Sequence, residues 1–399
     1  MDTDVYVLMD ERAVTDYVRR KTDFFPASCH LEAKEIGDGN LNYVFRVTDG
    51  DKSVIVKQAG SMGRLSPDRK LSRDRNRIES EILLLQGELA PGFVPQVYLY
   101  DEIMHCCIME DLRDYEIMRT GLTEGRIYPD FAGHMAEFLV NMLMKTSDLS
   151  KDHKRKKGLV KAFINPDLCE ISERLVFDEA AANRSGKNQV EPENEEFVRK
   201  LVYENDSLRL EAAKLKFRFM NCGQTLIHGD LHTGSIFVRE HDTRIFDPEF
   251  AFYGPAGYDL GNVAGNMLMA YVRAVSDGRK GHRDWLSGAV MDVIGSYVQK
   301  YEELYPRYAD DLLAAAPGFK EWYLKRILED TAGYAGMEII RRTVGIAKVK
   351  DITGIPDGQE RARAQRRLIQ AGIRLVLERS SFSGAEAYGQ LAADIIQFQ

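Results

Sequence analysis

Sulfur and indole are scarce in this chain, which has five cysteines and two tryptophans in 399 residues. An odd number of cysteines so thinly spread supports no disulfide framework and leaves at least one thiol free. Cys106 and Cys107 stand side by side in an apolar run, where free cysteine packs as a small reduced hydrophobe. No run of 18 apolar residues occurs, so no membrane-spanning helix is expected. The opening Met1-Asp2-Thr3-Asp4 has neither the basic nor the apolar region of a signal peptide. Positive charge is in deficit as well: 54 Lys and Arg against 62 Asp and Glu give a net charge of −8. Nucleic-acid binding needs clustered Lys and Arg against phosphates, so no nucleic-acid partner is expected. These absences predict a protein of the reducing cytoplasm.

The first third of the chain carries strand signals. Residues 42–47 alternate in polarity with Tyr43, Phe45 and Val47 on one side. A turn at Asp49-Gly50 leads into Val54-Ile55-Val56, which ends at Lys57. After a polar, Arg-rich segment, Ile78, Ile82 and Leu85 at i, i+4 and i+7 mark a helix. Val94 to Tyr100 and Ile103 to Met109 read as further strands, so a small strand-rich unit ends near Asp111. From about residue 130 the pattern is helical, with apolar stripes over 131–145, 258–276, 284–304 and 318–341. The polar interval 178–196 reads as a surface excursion. The basic run Lys151 to Lys157 reads as a solvated loop or helix end.

The strongest chemical signal is His228-Gly229-Asp230-Leu231-His232-Thr233-Gly234-Ser235, followed by Asp247-Pro248-Glu249. Between them Ile236-Phe237-Val238, a polar turn at Glu240 to Thr243, and Arg244-Ile245-Phe246 form a hairpin. Such a hairpin is expected to return Asp247 to the loop that holds Asp230. Phosphoryl transfer uses one carboxylate for the proton of the attacking hydroxyl and another for magnesium on the triphosphate. Asp230 is the expected base, Asp247 the expected main metal ligand, with Glu249 as an additional carboxylate and Ser235 as a weaker oxygen ligand. His228 and His232 have a zinc-enzyme spacing but lack the following Glu, so His228 is expected to brace the loop instead.

Gly37-Asp38-Gly39-Asn40-Leu41-Asn42 precedes the alternating strand. Its glycines, Gly39 among them, allow close approach of backbone to phosphate, and Asn42 is placed to donate to a phosphate oxygen. Lys57 leaves a buried strand and needs an anionic partner, for which Glu79 of the next helix is the best candidate. Met109-Glu110-Asp111-Leu112 closes the strand-rich region with backbone groups that can meet adenine. Arg341-Arg342-Thr343 ends an apolar helix.

Together these residues resemble the 5-methylthioribose kinases, within the aminoglycoside-phosphotransferase-like branch of kinase folds. The resemblance runs from about Ile36 to Asp351. It is most specific at Gly37 to Phe45, at His228 to Phe237 with its Ser235, at Asp247 to Pro255, and at Arg341 to Gly345. It implies an α+β fold of the bilobal protein-kinase-like type, with residues 1–111 as an ATP-binding lobe and 112–399 as a catalytic and sugar-binding lobe. ATP contacts are implied at Asn42, Lys57, Glu110, Asp111, Leu112, Asp247, Pro248 and Glu249. The sugar is implied near Asp230, Arg341 and Arg342, whose planar donors can offset phosphoryl charge. Further implications are Mg²⁺ as the metal, a homodimer, and transfer from ATP to the 1-hydroxyl of 5-methylthioribose in methionine salvage. A methylthio group calls for an apolar lining, with Phe250, Phe252 and Tyr253 as candidates.

One departure stands out. The family carries a tryptophan in the loop after the strand lysine, and Gly60 to Arg75 has none. That leaves 5-deoxyribose open as an alternative acceptor. Choline or an aminoglycoside would require an acidic pocket, against which the Arg341/Arg342 pair speaks. A binding protein that has lost catalysis is disfavoured, because Lys57, Asp230 and Asp247 are all present.

Overall fold

A computed structural model describes residues 5–36, 42–60, 71–150 and 152–398. The expected phosphate loop, Gly37 to Leu41 with Gly39, therefore lies outside the described residues, as does Ser61 to Lys70. The chain forms two compact units, Met1–Asp114 with Arg244–Ala251, and Tyr115–Thr243 with Phe252–Gln399. The linear reading ended the first unit at Asp111. The structure carries it to Asp114 and adds the Asp247 segment, where Ile245 N–H donates to the Phe93 carbonyl at 2.7 Å.

In the first unit, β1 (Glu32–Glu35), β2 (Asn42–Thr48), β3 (Ser53–Ala59), β4 (Val97–Asp101) and β5 (Cys106–Glu110) form an antiparallel sheet of order β1-β2-β3-β5-β4. The last two strands are shorter than expected, because Ile103 and Met104 turn over the Asp101 carboxylate, which accepts both their N–H groups. Helix α1 (Glu11–Lys21) packs Val14, Tyr17 and Val18 into a core with Phe45, Val47, Val54, Val56 and Ile108. Side chains alternate along a strand, so Val54, Val56 and Gln58 share one face of β3 and Lys57 leaves by the other. Helix α2 (Asp74–Leu89) is tied to β3 by Asn76, whose amide donates to the Lys57 carbonyl at 3.2 Å. It buries Ile78, Ile82 and Leu83, with Leu85 only partly covered. Cys106 and Cys107 are free and buried, and burial pushes both thiols up to about 12.

The second unit is mainly helical. Its helices are α3 (Met118–Glu124), α4 (Phe131–Lys145), α5 (His153–Ala162), α6 (Pro166–Ser172), α7 (Ala180–Ala182), α8 (Glu195–Val198) and α9 (Asp206–Asn221). After them come α10 (Gly257–Ser276), α11 (Lys280–Tyr308), α12 (Phe319–Val344), α13 (Lys350–Thr353), α14 (Gly358–Leu377) and α15 (Ala385–Ile395). Short strands hold the loops: β6 (Glu116–Ile117), β8 (Ile236–Arg239) and β9 (Asp242–Ile245) in one sheet, β7 (Thr225–Ile227) with β10 (Phe252–Gly254) in another. The expected hairpin is thus present as β8 and β9, with a shorter turn than the sequence suggested.

Two sequence expectations hold over much of their length but fail at particular residues. Residues 178–196 are anchored, because Asn194 is fully buried and donates to the Ala362 carbonyl and Gln365. In the basic run, Lys156 is buried, paired with Asp148 and donating to the Gly223 carbonyl at 2.6 Å.

Helix α12 was read as a stripe, yet every residue from Asp330 to Val344 is buried. Glycine makes this possible. Gly257, Gly261 and Gly265 stand four apart on one face of α10, and a Cβ on Gly261 would come within 2.6 Å of the Thr331 carbonyl. On the other side Gly336 meets α14, where a Cβ would fall 2.5 Å from the Gly372 carbonyl. Backbone carbonyls cannot yield as a flexible side chain can, so Gly261→Ala must separate α10 from α12. We expect it to cost about 1–3 kcal/mol, read from chemical denaturation; an unchanged midpoint would show that the helices are not held at backbone contact.

Candidate active site

In the first unit, strand β3 and helix α2 bring Lys57 and Glu79 together, with Nζ 2.7 Å from Oε1. Lys57 also pairs with Asp247 Oδ1. Asn42 is buried, and its amide donates to Glu249 Oε2 at 2.9 Å. Arg75 is buried beside them, its Nε 3.8 Å from Glu249, while its other nitrogens donate to the Ser72 and Gly60 carbonyls. Three carboxylates therefore share one ammonium and the flank of one guanidinium. Burial, reinforced by Asp247, raises Glu249 to about 8; burial also raises Glu79 to about 7 despite Lys57. For Lys57, burial opposes the charge, but Asp247 and Glu79 outweigh it and hold the pKa above the ordinary value. Asp247 itself has φ of 64°, a left-handed backbone that costs a non-glycine residue about 1–2 kcal/mol. A group kept in such a conformation is held there by its surroundings, and such residues cluster at functional sites.

The closing segment behaves differently from its side chains' appearance. Asp111 is bound in a fork by Arg46 at 2.6 and 3.0 Å and accepts from Ser53 at 2.7 Å. Glu110 accepts the Gln96 N–H and gives its own N–H to the Gln96 carbonyl. Both carboxylates are therefore structural within the sheet end.

In the second unit, Asp230 sits on a loop fixed at its base by Asp259, which accepts the N–H groups of His228 at 2.6 Å and Gly229 at 3.0 Å. Gly229 has φ of 84°, the left-handed region that favours glycine. His228 Nδ1 accepts the Asp230 N–H at 3.4 Å, so this histidine does brace its loop. Ser235 is buried and donates to the Asp230 carbonyl at 3.0 Å. His232 Nδ1 accepts the Gly234 N–H, which leaves the Nε2 proton facing Asp230 Oδ2 at 3.3 Å. Burial lowers the His232 pKa, so the ring is neutral at pH 7.

Arg341 and Arg342 meet Asp230 Oδ1 at 3.1 and 3.5 Å. Beneath them Glu338, with no exposed surface, binds Nε of Arg341 and Nε of Arg342, the latter at 2.9 Å. Burial works against both acids, yet their partners prevail: the arginines hold Glu338 at about 2, and the His232 N–H together with the two arginines holds Asp230 well below the usual carboxylate range.

The structure thus joins Lys57, Glu79, Asn42, Asp247 and Glu249 in one unit, and Asp230, Ser235, Arg341 and Arg342 in the other. Among the expected apolar residues, Phe252 packs on Phe219 with centroids 4.8 Å apart, and Tyr253 lies under Lys156. Both are occupied in the second unit's own packing. Motif reading passed over Glu338, Asp259 and Arg75. Glu338 was within reach of it, standing three and four residues before the arginines, while Asp259 and Arg75 act through contacts distant in sequence. Among the described residues, no group of three or more His, Cys, Asp or Glu forms a ready-made metal cage.

A lysine held by a helix glutamate, a strained aspartate at the end of a hairpin, and a loop aspartate under two arginines are the parts of a phosphotransferase. The chain belongs to the phosphotransferase enzyme family, whose model matches residues 32–309. Its fold is protein-kinase-like, with an antiparallel sheet in the first unit and a mostly helical second. Within that class it stands among the methylthioribose kinases. It is 39% identical to the methylthioribose kinase of Geobacillus kaustophilus, over 100% of this chain and 99% of the relative. It is 41% identical to that of Bacillus velezensis, over 88% of each. Among solved structures, spectinomycin phosphotransferase with ADP and spectinomycin aligns over 94% of this chain and 100% of its own, at 13% identity and a TM-score of 0.46.

Glu338 gives a pH signature. Its folded pKa is depressed, so its stabilisation is complete above the ordinary value near 4.5 and is lost as pH falls toward 2. The contribution is on the order of 3 kcal/mol. Glu338→Gln should cost about 3–5 kcal/mol at pH 7, because two buried arginines lose their anion. It should also lack this part of the acid destabilisation. Urea midpoints for both proteins from pH 7 to pH 3 decide it; equal slopes would remove Glu338 from the account.

Proposed function

We propose that this chain transfers the γ-phosphoryl group of ATP to the 1-hydroxyl of 5-methylthioribose, giving ADP and the 1-phosphate. The observation that carries the reading is Asp230 under the buried Arg341/Arg342 pair. The two arginines balance Asp230 and Glu338, which leaves no surplus negative charge to hold a cationic choline or aminoglycoside and suits a neutral sugar whose product is an anion. The kinship with methylthioribose kinases supports the same acceptor. Asp230 is a weak base in this setting, and an anomeric hydroxyl, acidified by the ring oxygen, is the hydroxyl it serves most readily. In the reaction the 1-oxygen forms a bond to the γ-phosphorus, the bond to the β–γ bridging oxygen breaks, and the hydroxyl proton passes to Asp230. Arg341 and Arg342 then face the charge on the transferring group.

On the nucleotide side, Lys57, positioned by Glu79, takes the α- and β-phosphates, with Asn42 and the loop around Gly39 beside them. The Glu110 to Leu112 segment offers adenine backbone groups only, since the side chains of Glu110 and Asp111 are committed. The surplus of carboxylate over cation around Glu249 fits a divalent metal. Asp247 and Glu249 would hold Mg²⁺, with Ser235 able to lend a lone pair, and the ion would neutralise phosphate charge. We place the reaction in methionine salvage in the cytoplasm and the protein in a homodimer.

The test is ADP release with a panel of acceptors. Burying a methyl and a sulfur is worth roughly 1–3 kcal/mol, about 10- to 200-fold, and a ribose 5-hydroxyl in an apolar lining loses its water. We expect kcat/KM to fall from 5-methylthioribose to 5-deoxyribose to ribose, with aminoglycosides inactive. The absence of tryptophan from Gly60 to Arg75 favours 5-deoxyribose as the second reading, and a higher value for that sugar would establish it. Asp230→Asn should lower kcat about 10²-fold or more with the KM for ATP little changed; near-full turnover would exclude Asp230 as base. Chelator should abolish activity and Mg²⁺ restore it.

A further inference from the structure

No motif singles out Arg119, in the first turn of α3, yet it touches both halves of the acceptor site. Its backbone N–H donates to the Thr233 carbonyl at 3.0 Å. Its Nη1 lies against Gly234, where a Cβ would stand 2.7 Å away. Both contacts fall on the loop that carries Asp230. Its Nη2 donates to Asn266 Oδ1 at 2.9 Å. Asn266, 1% exposed, donates in turn to Glu338 Oε1 at 3.1 Å and to the Asn262 carbonyl at 2.9 Å. Glu338 is the residue that orients Arg341 and Arg342. An unbroken polar chain therefore runs from the catalytic loop through Arg119, Asn266 and Glu338 to the arginine pair.

The far side of Arg119 is held by Asp351, on α13, whose Oδ2 is 3.3 Å from Nε. Asp351 is 2% exposed, and neither of its oxygens has a hydrogen-bond partner. A buried carboxylate left so poorly satisfied is a costly way to stabilise a fold. Arg119 is the cation it meets most closely, with Arg273 and Arg342 also acting on it, and the contact favours the charged guanidinium.

We propose that Arg119 is a positioning residue, which fixes the loop bearing Asp230 relative to Arg341 and Arg342 through Asn266 and Glu338. It makes no contact with the reacting atoms. Its loss would let base and arginines drift apart, and a misplacement of about 1 Å in a site of this kind costs on the order of 10²-fold in rate.

The inference rests on the phosphotransfer reading, and the experiment separates the two. Arg119→Met is made together with Asp351→Asn, so that no unpaired carboxylate remains, and is compared with Glu338→Gln and with the triple variant. The acceptor is the pentose that the wild type turns over fastest, or water, read as ADP release, if it accepts none. A wild type active on no pentose counts against the substrate reading alone. The double variant should lose about 10²-fold in kcat/KM for the acceptor, with the KM for ATP within about twofold. The triple variant should lose less than the product of the losses of the double variant and of Glu338→Gln alone, because part of what Glu338 does passes through Arg119. Activity within about threefold of wild type, an equal rise in the KM for ATP, or losses that multiply in the triple variant would each overturn the proposal. If the double variant does not fold, Arg119→Lys, which keeps the charge without the fork, is read by the same criteria.

Discussion

Two adjacent arginines buried at the end of one helix repel each other and cannot stay there without an anion beneath them. Glu338 is that anion. At i−3 and i−4 it lies on the same helical face as both, and it takes one Nε from each. The outer nitrogens are left to turn toward Asp230. The arrangement requires α12 to remain regular through residues 338–342 and to be covered on all sides, since an exposed Glu338 would be screened by water. Coverage is what the glycines of α10 and α14 supply, by admitting backbone to backbone contact. The packing of the second unit and the charge state of Asp230 are therefore one problem with one solution.

The first unit solves the reverse problem. There carboxylates outnumber cations, and Glu79 and Glu249 are raised to about 7 and 8 where Glu338 is held at about 2. Burial is common to all of them, so burial alone does not decide the outcome. The number of cations within reach does. One chain thereby keeps Asp230 and Glu338 ionised at neutral pH, and around Glu249 a cluster of carboxylates that gains from an added cation. Acids pushed apart in this way cluster at functional sites.

Sequence showed what depends on local pattern. The alternation into β2, the β-branched run ending at Lys57, and the helix bearing Glu79 were all legible, because period and burial agree there. The Asp230 and Asp247 motifs were legible because turn chemistry and carboxylates recur at fixed spacing. What stayed hidden acts across the chain. Asp259 reaches back to cap the N–H groups of His228 and Gly229 from a helix start that reads as ordinary packing. Asn194 and Lys156 looked solvated by composition, yet each is buried and donates to a carbonyl more than 60 residues away in sequence. Arg119 carries no motif, since its role is defined by Asn266 and Glu338 rather than by its neighbours. The packing of one expected lining residue was hidden for a related reason. Phe252 follows the metal motif in sequence, but strand β10 pairs with β7 and turns its ring onto Phe219.

The charge balance around Asp230 also bears on turnover. Asp230 and Glu338 against Arg341 and Arg342 sum to zero, with His232 neutral, so on the reading proposed above a neutral sugar would meet no net charge on entering. Phosphorylation places new negative charge beside the same four groups. Two bare arginines would bind that product far more tightly than the substrate, and tight product binding slows release without raising the rate of chemistry. With Glu338 beneath the pair, each guanidinium already shares its charge with a carboxylate, so its hold on the product is weaker. The arginines keep donors aimed at the transferring group, whose charge is greatest during transfer, while the buried acid limits what they retain afterwards. On the proposed reading, the acid beneath the arginine pair would govern both the basicity of Asp230 and the release of the product.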